Sequence, residues 1–303
     1  MNAGEVLSLL GPSGGGKTSL IKCIYGLVEV DGGEIFFGKE KVLGPNFNII
    51  PGHKDMKLVS QDYYVLDNHS VEENIKDILV GFTNEYKEAR SQKILKLLEL
   101  TSLKDLKAKN LSSGQKQRVA IARAIASFPK LLLLDEPFSN LDKILKDKLF
   151  DFIIKQAKQK NSAVVLITHQ AEEALKYANR IGIMLNGKLV QLGEKNNVYY
   201  KPKNLKIAKA LGDYNVISHD QFEKTSALYK RNKRALLRPN AFSILEIRKG
   251  CDLKATYVNH FFNGKCYEVL AQTNSHKEIV FYCPKSPESS ETLFLKIEKE
   301  LYD

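Results

Sequence analysis

The sequence predicts an α/β fold: a mainly parallel sheet with an inserted helical subdomain, followed by a small antiparallel β domain. Three observations predict it. From the start to about residue 210, short apolar runs alternate with helical patterns, as successive strand–helix units do. Inside that stretch, from about residue 62 to 128, the pattern turns helical. Past Gly212 the segments become strand-like and are separated by polar or turn residues. The expected domains are therefore 1–212 and 213–303.

The elements follow in order. Glu5 to Leu10 reads as a strand that runs into the glycine-rich stretch Gly11–Gly16. Leu20, Ile24 and Leu27 fall at i, i+4 and i+7, one face of a helix that stops near Gly26. Ser70 to Glu73 (SVEE) is a capping box with Ser70 as N-cap, and Ile94, Leu97 and Leu98 form an apolar stripe on the next helix. Leu131–Leu134 and Val164–Thr168 are continuous apolar runs, as strands buried on both faces are. Asn186-Gly187 between two strand-like runs predicts a hairpin. The last domain is drawn from "ALLRP", "FSILEI", "DLKATYVNHFF", "CYEVLAQT" and "EIVFYCP".

A chain of 303 residues, 43% apolar and 27% charged, is ordinary for a globular protein. No apolar stretch approaches the roughly 18 residues that cross a bilayer, and the start does not read as a signal peptide, so a cytoplasmic location is expected. The net charge of +11 favours polyanionic partners. The densest basic run, Tyr229 to Arg234, has four charges in six residues, which reads as a solvated loop and not as a nucleic-acid contact. Cys23, Cys251, Cys266 and Cys283 show no C-x-x-C spacing. That argues against zinc and fits reduced thiols.

Three motifs carry chemistry. Gly11-Pro12-Ser13-Gly14-Gly15-Gly16-Lys17-Thr18 satisfies G-x-x-x-x-G-K-[ST]. Its glycines let backbone N–H groups converge on phosphate oxygens, and the helix that follows adds its positive end. Lys17 would reach the outer phosphates, and Thr18 would offer its hydroxyl to Mg2+. In "LLLLDEP", Asp135 and Glu136 arrive at the carboxyl end of a buried strand, where open α/β sheets place ligands. Asp135 can hold Mg2+ through water, and Glu136 can orient or deprotonate an attacking water. In "LSSGQKQRVAIARA", Ser112 and Gln115 form a second capping box, and a helix N-terminus carrying Ser112, Ser113 and Gly114 is also an anion site. Gln61 in "LVSQDYY", Asp142 in "SNLD" and His169 in "VVLITH" complete a fixed order of elements.

With these motifs in place, residues 1–212 resemble the nucleotide-binding subunits of ABC transporters, a P-loop NTPase fold of ABC type. The resemblance implies ATP and Mg2+ as cofactors. It implies that Gln61 links the site to the helical subdomain, acting in catalysis and near the metal, and that His169 contacts the γ-phosphate. Ser112, Ser113, Gly114 and Gln115 would close over the ATP of an opposing subunit, with Asp142 at the same contact. A head-to-tail homodimer follows, held to the inner face of the cell membrane by separate permease chains and served indirectly by an extracytoplasmic binding protein. No nucleic acid is expected. The last 90 or so residues are similar to the β domain of importer ATPases, which favours import and a regulatory or dimer-supporting role for that domain.

Two departures accompany the resemblance. Ser113 stands where the family usually has glycine, and its N–H remains available. Family members usually place two strands and an adenine-stacking aromatic ahead of the loop; here one strand precedes it, and a truncated start is the expectation. The alternatives are a soluble ABC-type ATPase acting on nucleic acid and a truncated, non-catalytic form.

Overall fold

The apolar run ahead of the glycine loop forms strand β1 (Val6–Leu10), and the helix after the loop is α1 (Lys17–Tyr25). Gly26 ends α1 with φ 87°, donating to the carbonyls of Cys23 and Lys22, the left-handed cap that glycine adopts without steric cost. Leu27 lies beyond this cap and is exposed, so the buried face of α1 is carried by Leu20, Ile21 and Ile24. This computed structural model describes residues 1–48, 52–230, 234–287 and 292–298, and it divides into two units, Met1–Lys195 and Asn196–Asp303. Residues 231–233 of the basic run lie outside the described residues.

In the first unit a small hairpin, β2 (Phe36–Phe37) and β3 (Glu40–Lys41), follows α1. The main sheet adds β4 (Met56–Val59), β5 (Leu131–Asp135), β6 (Ala163–Thr168), β7 (Arg180–Leu185) and β8 (Lys188–Glu194). Its order is β4-β5-β6-β1-β7-β8. All neighbours are parallel except β7 and β8, which the Asn186-Gly187 turn joins as a hairpin. Both turn residues have positive φ, 50° and 75°, as a two-residue hairpin turn requires. Leu132, Leu133, Leu134, Val164 and Leu166 are fully buried, which is why the central strands read as unbroken apolar runs.

Between β4 and β5 come α2 (Val71–Lys76), α3 (Asn84–Leu97) and α4 (Ser113–Ala126). Ser70 and Glu73 form the expected capping box. Ile75, Leu79, Ile94, Leu98 and Ile121 are fully buried in this region, where α2 packs on both other helices. Arg90 donates to the carbonyls of Ile125 and Ala126 and so satisfies the end of α4. After β5 come α5 (Lys143–Lys160) and, after β6, α6 (Ala171–Tyr177).

The two units divide at Lys195, and Arg238 holds the stretch up to Asp213 within the second. The segment holding α7 (Lys195–Tyr200) and α8 (Leu205–Ala210) runs into the second unit. Arg238 has no exposed surface, donates to the carbonyls of Tyr199, Ala208, Gly212 and Asp213, and lies 4.2 Å over the Tyr199 ring. Those bonds span 25 to 39 residues of sequence, so "ALLRP" is a long-range clamp as well as a strand.

The second unit continues with β9 (Asn215–Ile217), α9 (Ala227–Lys230) and β10 (Ala235–Leu237), β9 and β10 forming an antiparallel pair. Strands β11 (Phe242–Leu245), β12 (Leu253–Phe262), β13 (Tyr267–Thr273), β14 (Glu278–Cys283) and β15 (Thr292–Ile297) form an antiparallel sheet in the order β11-β15-β12-β13-β14. Leu253, Val269, Ala271, Phe281 and Leu295 alternate inward as its core. The four thiols are unpaired with one another.

Candidate functional site

The glycine loop is built by close backbone approaches. A Cβ on Gly11 would lie 2.2 Å from the carbonyl oxygen of Met184, so only glycine fits there without movement. Gly14 and Gly16 have φ of 75° and 87°, conformations that favour glycine. The loop is closed by Gly15 N–H donating to Pro12 O, and Gly187 N–H in the β7–β8 turn donates to Gly15 O. Pro12 and Ser13 form the exposed crest. Lys17 is buried, and its Nζ donates to the carbonyls of Gly11 and Pro12, each at 2.9 Å. The ammonium therefore sits inside the concavity. Thr18 follows it in the first turn of α1.

Strand register brings the other groups to the same edge. Leu10 is paired with Thr168, and Asp135 with Ile167. The glycine loop, Asp135-Glu136 and His169 therefore all leave the carboxyl ends of adjacent parallel strands. Gln61 leaves the same end of β4, whose Val59 is paired with Leu134. Gln61 is exposed there.

Asp135 is 1% exposed, and its Oδ1 has no hydrogen-bond partner. Burial pushes its carboxyl up, with the Thr18 hydroxyl opposing and the Glu136 charge adding to the shift. A buried acceptor without a donor, beside a threonine hydroxyl and a glycine cradle, is the oxygen set that suits a small hard cation carrying phosphate. Thr18 and Asp135 thus fit Mg2+. Glu136 has φ 47°, a left-handed conformation for a non-glycine residue, and its N–H donates to Ile167 O. Its Oε2 lies 3.3 Å from Nδ1 of His169, which is half-exposed.

The remaining predicted residues gather elsewhere in the first unit. Ser112 caps α4 by accepting from Gln115 N–H, and Gln115 returns the bond to Ser112 N–H. The first-turn N–H groups of Ser113 and Gly114 have no intrahelical acceptor, and nothing within 4 Å would meet a Cβ on Gly114. Ser112, Gly114 and Gln115 share a pocket of about 320 Å3 with Asn140 and Asp142. No glycine-loop residue lines it. Asp142 is also the N-cap of α5, accepting from Leu145 N–H at 2.9 Å.

Sequence reasoning missed several supports. Met184 and Gly187 wall the glycine loop from a hairpin far along the chain. Gln117 is fully buried and donates to Pro137 O at 2.7 Å, joining α4 to the segment after Glu136. Lys146 and Glu173 support the His169 turn. The Met184 and Gly187 contacts depend on strand order, and those of Gln117 and Lys146 on how their helices pack, 20 and 27 residues along the chain.

Comparison with known proteins agrees with this geometry. The profile of the ABC transporter family matches residues 1–139. The chain is 33% identical over 261 residues to the Fe(3+) ions import ATP-binding protein of Haemophilus influenzae, covering 81% of this chain and 73% of that one. It is 32% identical over 296 residues to the spermidine/putrescine import ATP-binding protein of Spiroplasma citri, covering 91% and 83%. The chain belongs to the ABC transporter family. It is an ATP-binding, ATP-hydrolysing subunit of that family.

A solved structure extends the likeness to three dimensions. The dimeric ATP-binding cassette MJ0796, in a post-hydrolysis state bound to ADP and Pi, matches with a TM-score of 0.56 at 27% identity, covering 64% of this chain and 88% of that one. No helix among the described residues of this ABC subunit is long and apolar enough to cross a membrane.

Proposed function

We propose that this ABC subunit drives an importer as a homodimer, coupling ATP-dependent closure to separate permease chains in the membrane. The relatives are named for import of iron or polyamines, and the nucleic-acid alternative finds no support among them. The observation that carries the proposal is the convergence of Lys17, Thr18, Asp135, Glu136 and His169 at one edge of the parallel sheet.

In this reading the N–H groups of residues 11–18 and the Lys17 ammonium hold the β- and γ-phosphates. Thr18, Asp135 and Gln61 would hold Mg2+, which would supply neutralisation of the charge that develops on the phosphates. Glu136 accepts a proton from the attacking water. His169, positioned against Glu136, donates to the γ-phosphate. Ser112, Ser113, Gly114, Gln115 and Asp142 complete the site of the opposing subunit, so neither copy hydrolyses ATP alone. An extracytoplasmic binding protein would select the cargo, and the cytoplasmic face of the membrane would be the place of attachment.

Glu136→Gln tests this directly. The variant is expected to lose about 10²- to 10⁴-fold in ATP turnover and to accumulate as an ATP-bound dimer in light scattering with Mg-ATP. A variant that stays monomeric with bound ATP would overturn the two-subunit site.

A further inference from the structure

The two partners of the Glu136–His169 contact rest on one helix, α5. On the Glu136 side, Phe138 is buried and packs on Phe150 of α5 with ring centroids 4.6 Å apart. On the His169 side, the Thr168 hydroxyl accepts from Gln170 N–H at 3.0 Å and donates to Glu173 Oε2 at 2.7 Å. Glu173 Oε1 in turn pairs with Lys146 Nζ of α5 at 2.5 Å. Phe150 also stacks on Tyr177 of α6 at 3.8 Å, and Asp147 of α5 bonds to Lys176 and Tyr177.

Thr168 and Glu173 are 2% and 8% exposed. A buried carboxylate with an ammonium seldom adds stability over a well-packed apolar pair, so stability alone gives little reason for this arrangement. Its geometry gives another. The Thr168 hydroxyl reaches across His169 to the Gln170 N–H and to Glu173, both beyond it in the chain, and thereby sets the turn that carries the imidazole toward Glu136.

We infer that Glu173, held by Lys146, is a positioning residue for His169, acting through the Thr168 hydroxyl, and that α5 is the common mount for Glu136 and His169. Asp142 caps the first turn of the same helix, so the residue assigned to the dimer contact and the mount of the catalytic pair are one rigid element. The inference rests on the reading of His169 given above.

The test uses the full chain with Mg-ATP. Thr168→Val removes the hydroxyl and keeps the shape. It is expected to lower kcat about ten- to a hundredfold, the scale of a misplaced catalytic group, with KM for ATP changed less than about twofold. Thr168→Ser restores the rate. Lys146→Met, which keeps the aliphatic stem of a largely covered side chain, breaks the relay from α5 without touching β6 and changes kcat in the same direction, so the inference stands even if Thr168→Val folds poorly. Thr168→Val combined with His169→Ala should be no slower than His169→Ala alone. The imidazole resonances of the six histidines provide a readout independent of turnover, with His169 assigned by its loss in His169→Ala. Only that resonance should shift strongly in Thr168→Val and Lys146→Met. Multiplicative effects in the double variant, a raised KM at unchanged kcat, or an unmoved His169 resonance would each overturn the relay. Normal turnover in His169→Ala would instead sink the role given to His169, and the resonance would then decide the relay alone.

Discussion

His169 Nδ1 lies 3.3 Å from Glu136 Oε2, although the two residues come from different strands and Glu136 reaches this position only with φ 47°. A non-glycine residue in that region costs about 1–3 kcal/mol, and the N–H bond to Ile167 O holds it there. Glu136→Gly should therefore abolish turnover while leaving thermal stability unchanged or raised by up to about 1 kcal/mol. Calorimetry without nucleotide, beside phosphate release, checks both halves. A clear loss of stability would show that the strained turn depends on the side chain.

Gly11→Ala places a methyl where the Met184 carbonyl oxygen stands. The hairpin carrying Met184 must move, at a cost of about 1–3 kcal/mol, and the loop moves with it through the Gly187–Gly15 bond. Binding of a fluorescent ATP analogue is expected to fall more than tenfold. Unchanged affinity would show that the loop adjusts independently of β7–β8.

Arg238→Met leaves the carbonyls of Tyr199, Ala208, Gly212 and Asp213 without their shared donor. The loss is expected to destabilise the second unit by about 3 kcal/mol or more. Amide exchange should quicken across 199–213 before it quickens in β1, β5 or β6. Uniform exchange along the chain would contradict a local clamp.

Burial, with Asp147 accepting from its hydroxyl, raises the Tyr177 pKa above its ordinary 10.0. A phenol raised on folding contributes stability that is present below its unfolded pKa and lost as pH rises toward the folded one. The nearby carboxylates of Asp147, Glu173 and Asp151 all act in that direction. Melting temperatures taken from about pH 9 to pH 11 should therefore fall more steeply for the native chain than for Tyr177→Phe. Parallel curves would remove Tyr177 as the cause.

Features written in short windows of sequence were legible. The capping boxes at Ser70 and Ser112, the Asn186-Gly187 turn and the buried strands around Leu133 and Leu166 each depend on neighbours within a few residues. So does the glycine loop. What the sequence withheld depends on which strands become neighbours. Nothing local to Met184 marks it as a wall of the loop, and Lys146 lies 27 residues from the Glu173 carboxylate that it meets. The end of α1 falls at Gly26 as its sequence indicates, but Leu27, which matches the apolar period, lies past the left-handed cap and off the buried face. The attachment of residues 199–213 to Arg238 in the second unit is long-range in the same way.

Arg238 also orders events in time. A ribosome releases α8 well before it releases the arginine that accepts duty over its carbonyls, since the bonded residues are 25 to 39 positions apart. Met1–Lys195 holds every strand of the parallel sheet and can close as soon as β8 emerges. The stretch from Tyr199 to Asp213 must wait, unclamped, until "ALLRP" clears the exit tunnel. During synthesis the parallel sheet is thus complete in sequence before the clamp on residues 199–213 exists.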